Sequence, residues 1–298
     1  MRNAGVPDAP LVEAGWLREH MGEVIVLDCS VERIEGAQGE TLFAPGHRLF
    51  ERGHLPGARF ADVMGAFSDP GARYPFTCPS RAGIESAARA MGLNNDSLVI
   101  AYDTLGGPYA ARLWCVLTAF GFPNVRVLNG GLEAWKAVGG AIEAGASNAV
   151  RRGNFTAMRD PDMFVDAAYV MKMLEQSNAR EPLICGLRTA QFLGEGSIDP
   201  RRGHIPTSLS MPYPDLLGAG GRVEAARVLQ ALGTLGLGKD IAPVLYCGGG
   251  INAAGLALAL DLVGIKDVKI YDDSMNGWKD DPSLPVVHSD KGEAIAGD

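Results

Sequence analysis

At 298 residues, 47% apolar and 21% charged, the chain has length for two domains and too little charge for a disordered polymer. Its 27 Lys and Arg against 35 Asp and Glu leave a net charge of −8, and its densest basic clusters are Arg151–Arg152 and Arg201–Arg202, which argues against nucleic acid as a partner. No apolar run reaches membrane-span length, no secretory signal is visible, and five cysteines without a Cys-x-x-Cys pair speak against a disulfide framework or a structural zinc site, so the chain reads as an acidic cytoplasmic globular protein.

In chain order, strands are expected at 24–28, 98–102 and 125–128, with helices at 84–91, 109–119 and 132–138. After a polar stretch around 141–163 that carries Gly145, Gly153 and Pro161, strands are expected at 183–184, 244–246 and 268–271, with helices at 224–232 and 252–262. Near-continuous apolar strands alternating with helices predict α/β domains, each a parallel sheet with helices on both faces. From Val287 on the chain is polar and is expected to be loose.

The chain is written twice. Arg52-Gly53-His54-Leu55-Pro56 is answered by Arg202-Gly203-His204-Ile205-Pro206, Tyr102-Asp103 by Tyr246-Cys247, and Trp135 by Trp278. Asp103 to Trp135 spans 32 residues and Cys247 to Trp278 spans 31. This ordered repetition predicts two tandem domains, 8–142 and 163–288, joined by a linker at 143–162.

The chemistry concentrates at Cys247. It ends an apolar strand, and Gly248, Gly249, Gly250, Ile251 and Asn252 lead into a helical run. A glycine turn lets successive N–H groups face one hollow, and the following helix adds its positive end, so an ionised thiol is stabilised there. Asp103 holds the matching position in the first copy and cannot act as a sulfur nucleophile. Features common to both copies, including His54, His204, Trp135 and Trp278, therefore read as architecture.

These residues resemble the two-domain rhodanese-type sulfurtransferases, the group of thiosulfate and 3-mercaptopyruvate sulfurtransferases. The resemblance spans about residues 8 to 288 and is carried by Arg52–Arg59, Asn129-Gly130-Gly131-Leu132-Glu133-Ala134-Trp135, Gly203–Pro206 and Tyr246–Asn252. It implies tandem rhodanese-like domains, an inactive N-terminal copy with Asp103, and a C-terminal copy in which Cys247 takes a sulfur from a donor as a persulfide. The sulfur then passes to cyanide, a small thiol or thioredoxin. Because His20, His47, His54, His204 and His288 are scattered, no metal is expected, and no dissociable cofactor either.

The chain departs from the family pattern in three places. The loop after Cys247 is uncharged, with Gly249 where the mercaptopyruvate group carries a serine, so thiosulfate and 3-mercaptopyruvate both stay open as donors. Asp62 fits a family aspartate, but Tyr74-Pro75-Phe76-Thr77 offers no histidine to go with it. The family's Asp-x-Arg after the first strand of copy two reads Cys185-Gly186-Leu187-Arg188 here, which makes Arg188 the first choice for a donor-binding cation and Arg201 or Arg202 the second. Cys185 is either a small buried thiol or a disulfide partner for Cys247.

Other readings compete. Gly248-x-Gly250-x-x-Ala253, with Asp272 at the end of the next strand, matches a dinucleotide fingerprint and would make the chain a nicotinamide-dependent enzyme. A cysteine phosphatase would need an arginine where Ala253 stands. A persulfide carrier or redox sensor without turnover is the non-enzymatic alternative.

Overall fold

The computed structural model describes residues 8–36, 41–176, 178–196 and 199–288. The N-terminal half runs β1 (Leu11–Val12), α1 (Ala14–His20), β2 (Ile25–Asp28), β3 (Val31–Glu35), β4 (Thr41–Pro45), α2 (His47–Arg52), β5 (Arg59–Phe60), α3 (Arg81–Ala90), β6 (Val99–Tyr102), α4 (Pro108–Ala119), β7 (Val125–Leu128) and α5 (Gly131–Ala137). The C-terminal half runs β8 (Phe164–Val165), α6 (Ala167–Gln176), β9 (Leu183–Cys185), α7 (Thr189–Leu193), β10 (Leu209–Ser210), α8 (Ala225–Thr234), β11 (Val244–Tyr246), α9 (Ile251–Leu262), β12 (Lys269–Tyr271) and α10 (Ser274–Asp280).

Each half builds a parallel five-stranded sheet, ordered β1-β7-β6-β2-β5 and β10-β9-β11-β12-β8. The central strands β6 and β11 are buried at every residue, as strands covered on both faces require. Among the described residues no helix is long and apolar enough to cross a membrane.

The two halves share a core. Helices α4 and α9 each follow the central strand of their sheet, and both are apolar nearly all round. A helix of that kind must be covered on every side. The two pack against each other, so that Leu113, Val116 and Phe120 join Ala254, Leu256 and Leu258 in one cluster. Ala and Gly in α9 allow close approach, and at Gly255 an added Cβ would lie 2.6 Å from the Tyr213 ring.

The repeated landmarks do the same work twice. His54 and His204 are buried, each with Nδ1 within 2.8 Å of a backbone carbonyl, at Phe50 and Phe192. Each ring stacks on that phenylalanine. The hydroxyls of Tyr102 and Tyr246 accept the N–H of Leu55 and Ile205 at 3.1 Å, tying each Gly-His-aliphatic-Pro turn to the central strand. Trp135 and Trp278 donate Nε1–H to Ala141 and Pro285 carbonyls.

Two stretches are held more tightly than their composition implies. Within 143–162, Gly153 and Phe155 donate to the Arg89 and Leu93 carbonyls, Met158 donates to Phe120, and the Phe155 ring is fully buried. The polar connector is thus strapped along the N-terminal half by its backbone. Val287 pairs with His204, closing the C-terminal half. Residues 289–298 of the expected loose end lie outside the described residues.

Candidate active site

Copy one exhibits what the loop geometry binds. The Asp103 side chain, fully buried, accepts N–H bonds from Leu105, Gly107, Tyr109 and Ala110 at 2.8–3.0 Å. Burial pushes its pKa up, and those four donors pull the other way. Gly107 caps α4 at φ +94°, and Gly250 caps α9 at φ +82°. Both turns need the left-handed backbone that glycine adopts without cost. In copy two the nest holds no carboxylate, and the N–H groups of residues 248–253 donate to no acceptor among the described residues.

Cys247 sits at the mouth of this nest. Its carbonyl accepts from Met275 N at 3.0 Å, and the Gly248 carbonyl accepts from Asn276 N at 2.9 Å, which fixes the loop to the start of α10. The Asn252 side chain donates to the Gly186 carbonyl at 3.2 Å, bracing α9 against the end of β9. The Cys247 N–H donates to Ser274 Oγ at 3.1 Å, and that hydroxyl donates to the Tyr271 carbonyl.

Ser274 is fully buried and holds φ +51°, where its counterpart in copy one, Gly131, holds +56°. A non-glycine residue there costs about 1–2 kcal/mol. Copy two accepts that strain and gains a hydroxyl on the backbone of its cysteine.

Burial pushes the other thiols up, Cys78, Cys115 and Cys185 to about 12 and Cys29 well above its ordinary value. They stay protonated at neutral pH. Cys185 pairs in register with Tyr246, so both side chains leave one face of the sheet, and strand alternation sends Cys247 to the other. The two cysteines belong to different apolar clusters, which removes the disulfide reading and leaves Cys185 as a small buried thiol.

Cys247 opens onto a cavity of about 530 Å³ between the halves. Gly248, Gly249, Ile251, Asn252 and Arg188 line it, and Gly250 lies behind as the helix cap. Arg201 and Arg202 are not brought to it. Arg201 donates to the carbonyls of Trp278, Pro282, Asp281 and Leu284, clamping the chain after α10, and the stem of Arg202 lies against Gly194. A basic pair before the Gly-His turn looks like an anion site in sequence, but the nearby carbonyls use the first of its guanidiniums.

Sequence reasoning missed the wall supplied by the N-terminal half: Arg33, Phe43, Phe76 and Tyr109. Tyr109 was traceable, since it is the second residue of α4 as Asn252 is of α9. Arg33 had no landmark, because the hairpin that carries it is not repeated. The expected absence of a histidine near Tyr74 coincides with Pro75 and Phe76 filling that wall, and Asp62 is spent on a local turn to the Met64 and Gly65 N–H groups. Among the described residues, Arg33 and Arg188 are the charged ones that line it, and none is acidic. Among the described residues no His, Cys, Asp and Glu cluster could hold a metal. Asp272, which a dinucleotide site would need free for a ribose, is bound by Arg112 and by the Cys78 N–H.

Two tandem α/β units thus hold an acid in the nest of one and a thiol at the nest of the other. A family model of the rhodanese-like domain matches residues 13–138 and again 166–281. The chain therefore belongs to the rhodanese-like family, and it is a sulfurtransferase. It is 33% identical to a probable 3-mercaptopyruvate sulfurtransferase of Pseudomonas aeruginosa, over 95% of this chain and 99% of that one. It is 32% identical to the putative thiosulfate sulfurtransferase SseB of Mycobacterium tuberculosis, over 81% of this chain and 85% of that one. The crystal structure of the 3-mercaptopyruvate sulfurtransferase SseA from Escherichia coli superposes with a TM-score of 0.77 at 29% identity, covering 89% of this chain and 98% of that one.

The strain at Ser274 gives a test. Ser274→Gly is expected to leave the melting temperature unchanged or raised, because the backbone cost disappears, while turnover falls on the order of tenfold as the anchor on Cys247 is lost. Thermal melts and kcat on one preparation separate the two effects.

Proposed function

We propose that Cys247 carries the transferred sulfur as a persulfide. The Cys247 thiolate attacks the sulfur of a donor such as 3-mercaptopyruvate. An S–S bond forms and the donor's C–S bond breaks, its electron pair leaving on the pyruvate enolate, which takes up the proton from the donor thiol. The result is pyruvate and an anionic outer sulfur on Cys247. An acceptor, either cyanide or a thiol including that of thioredoxin, then takes the outer sulfur and the Cys247 thiolate returns.

The observation that carries this reading is the contrast between the two nests. The same loop geometry satisfies a carboxylate in copy one, and in copy two it presents open N–H groups to a cysteine. Gly248, Gly249, Gly250, Ile251 and Asn252 supply donors aimed where negative charge develops, at no reorganisation cost. Arg188 orients the anionic end of the donor. Residues 8–142 form the inactive unit, 143–162 the connector and 163–288 the catalytic unit, and the protein works in the cytoplasm without metal or dissociable cofactor.

The test is a two-arm assay of the reduced protein, with thiosulfate and cyanide in one arm and 3-mercaptopyruvate and a thiol in the other. Mass spectrometry follows the Cys247 peptide. Turnover in either arm, with a gain of about 32 Da on that peptide, is the expected result. Turnover without the adduct overturns the persulfide assignment. An adduct that discharges once without turnover makes the chain a sulfur carrier.

A further inference from the structure

The cavity's second cation comes from the half that has no nucleophile. Arg33 is on β3, and in the antiparallel β3–β4 hairpin it stands opposite Phe43, so the two side chains share a face. Both line the cavity that holds Cys247. The neighbouring pair, Ile34 and Leu42, takes the other face and is 45% and 48% exposed. In the C-terminal half β9, the counterpart of β2, leads into α7 with no hairpin between them. The hairpin is thus an addition to one copy, and what it brings to the site is a guanidinium and a ring.

Arg33 makes no ion pair with a carboxylate among the described residues, and neither does Arg188. Its neighbour is Tyr109, at the start of α4. Burial pushes the Tyr109 hydroxyl pKa up, the adjacent Arg33 guanidinium pulls it back, and a charge on Cys247 raises it. Arg33, Tyr109 and Cys247 all line the one cavity. Arg188 enters it from the C-terminal half, as the residue preceding α7.

We propose that Arg33, braced by Tyr109, is a donor-binding and specificity-determining residue. It and Arg188 close on the anionic end of the sulfur donor from opposite domains. This rests on the sulfurtransferase reading of Cys247 given above. A loop without charge cannot neutralise thiosulfate, whose anionic oxygens sit one atom from the sulfur under attack. Guanidiniums on the cavity walls suit a donor whose carboxylate is set off from its sulfur by a carbon chain, and each can grip a carboxylate with two parallel N–H bonds. A cavity lined by one sign of charge also concentrates such anions in a protein that is acidic overall. The inactive half is thereby part of the active site.

The experiment compares wild type with Arg33→Met, Arg33→Lys, Tyr109→Phe and Arg188→Met, using 3-mercaptopyruvate and thiosulfate. In Arg33→Met the KM for 3-mercaptopyruvate is expected to rise at least about tenfold with kcat changed less than about threefold, while kcat/KM for thiosulfate moves less than about threefold. Arg188→Met raises the same KM, Tyr109→Phe raises it less, and Arg33→Lys recovers part of the loss. An unchanged KM in Arg33→Met, or an equal loss with both donors, overturns the proposal.

A second readout needs no sulfur transfer. Pyruvate, which has the carboxylate and lacks the sulfur, should slow alkylation of Cys247 by iodoacetamide in wild type and lose that effect in Arg33→Met. Protection that depends on Arg33 in a protein without turnover would leave the clamp standing while the persulfide reading fails. Absence of protection in wild type, or protection that survives in Arg33→Met, removes Arg33 from the site.

Discussion

Cys247→Ser is expected to lower turnover by at least about a thousandfold with either donor and to leave the fold intact. A serine hydroxyl at this position remains protonated near neutral pH, and an oxygen cannot store sulfur in an S–S linkage. The nest, the cavity and both guanidiniums persist, so donor binding survives and only the covalent step is lost. The side chain differs by one atom, and Cys247 is 3% exposed with its backbone pinned at both ends, to Ser274 and to Met275. Turnover and the mass of the tryptic peptide, read beside a thermal melt, check this. Activity within tenfold of wild type would remove Cys247 from the mechanism. In copy one the Asp103 carboxyl takes four N–H groups of its own loop, so an acid at the nucleophile position leaves none of those donors for a ligand.

How much of this was legible in the sequence depends on range. Val125–Leu128 and Val244–Tyr246 were readable to the residue, because buried parallel strands are near-continuous apolar runs, broken in the first only by Arg126. The glycine loop and its cysteine are contiguous, so half of the site could be named. The other half arrives by tertiary packing. Arg33 stands in a short hairpin whose Ile34, Leu42 and Phe43 are more than 40% exposed, so no burial pattern marks it, and copy two offers no parallel. Helices α1, α2, α6, α7 and α10 also went unpredicted. Four of the five have seven residues or fewer, too short for apolar spacing to announce them. Arg201 was misjudged because its carbonyl partners at Trp278, Asp281, Pro282 and Leu284 are about 80 residues away in the chain.

The most destabilising single change expected is Arg112→Leu. Arg112 leaves α4 in the N-terminal half, is 2% exposed, and reaches Asp272 at the end of β12 at 2.5 Å. The same nitrogen donates to the Phe76 carbonyl, and the other Asp272 oxygen accepts the Cys78 N–H. The guanidinium also lies over the Phe164 ring, 4.5 Å from its centroid, and its Nη1 is 3.3 Å from where a Cβ on Gly250 would stand. One side chain therefore joins the two halves beneath the loop that carries the thiol. Removing it strands the Asp272 charge, 12% exposed, against apolar neighbours, and the loss of one partner from a buried pair costs about 3–5 kcal/mol. Truncating Asp272 alone should cost a comparable amount by leaving the arginine unpaired. The double variant Arg112→Leu with Asp272→Leu should be more stable than either single one, because neither charge is then left alone. Urea denaturation of the four proteins measures the coupling. Additive losses would mean that the pair contributes packing alone. The predicted non-additivity would identify a desolvated ionic lock, and turnover in the double variant would then report how far the loop at Gly250 depends on the guanidinium behind it.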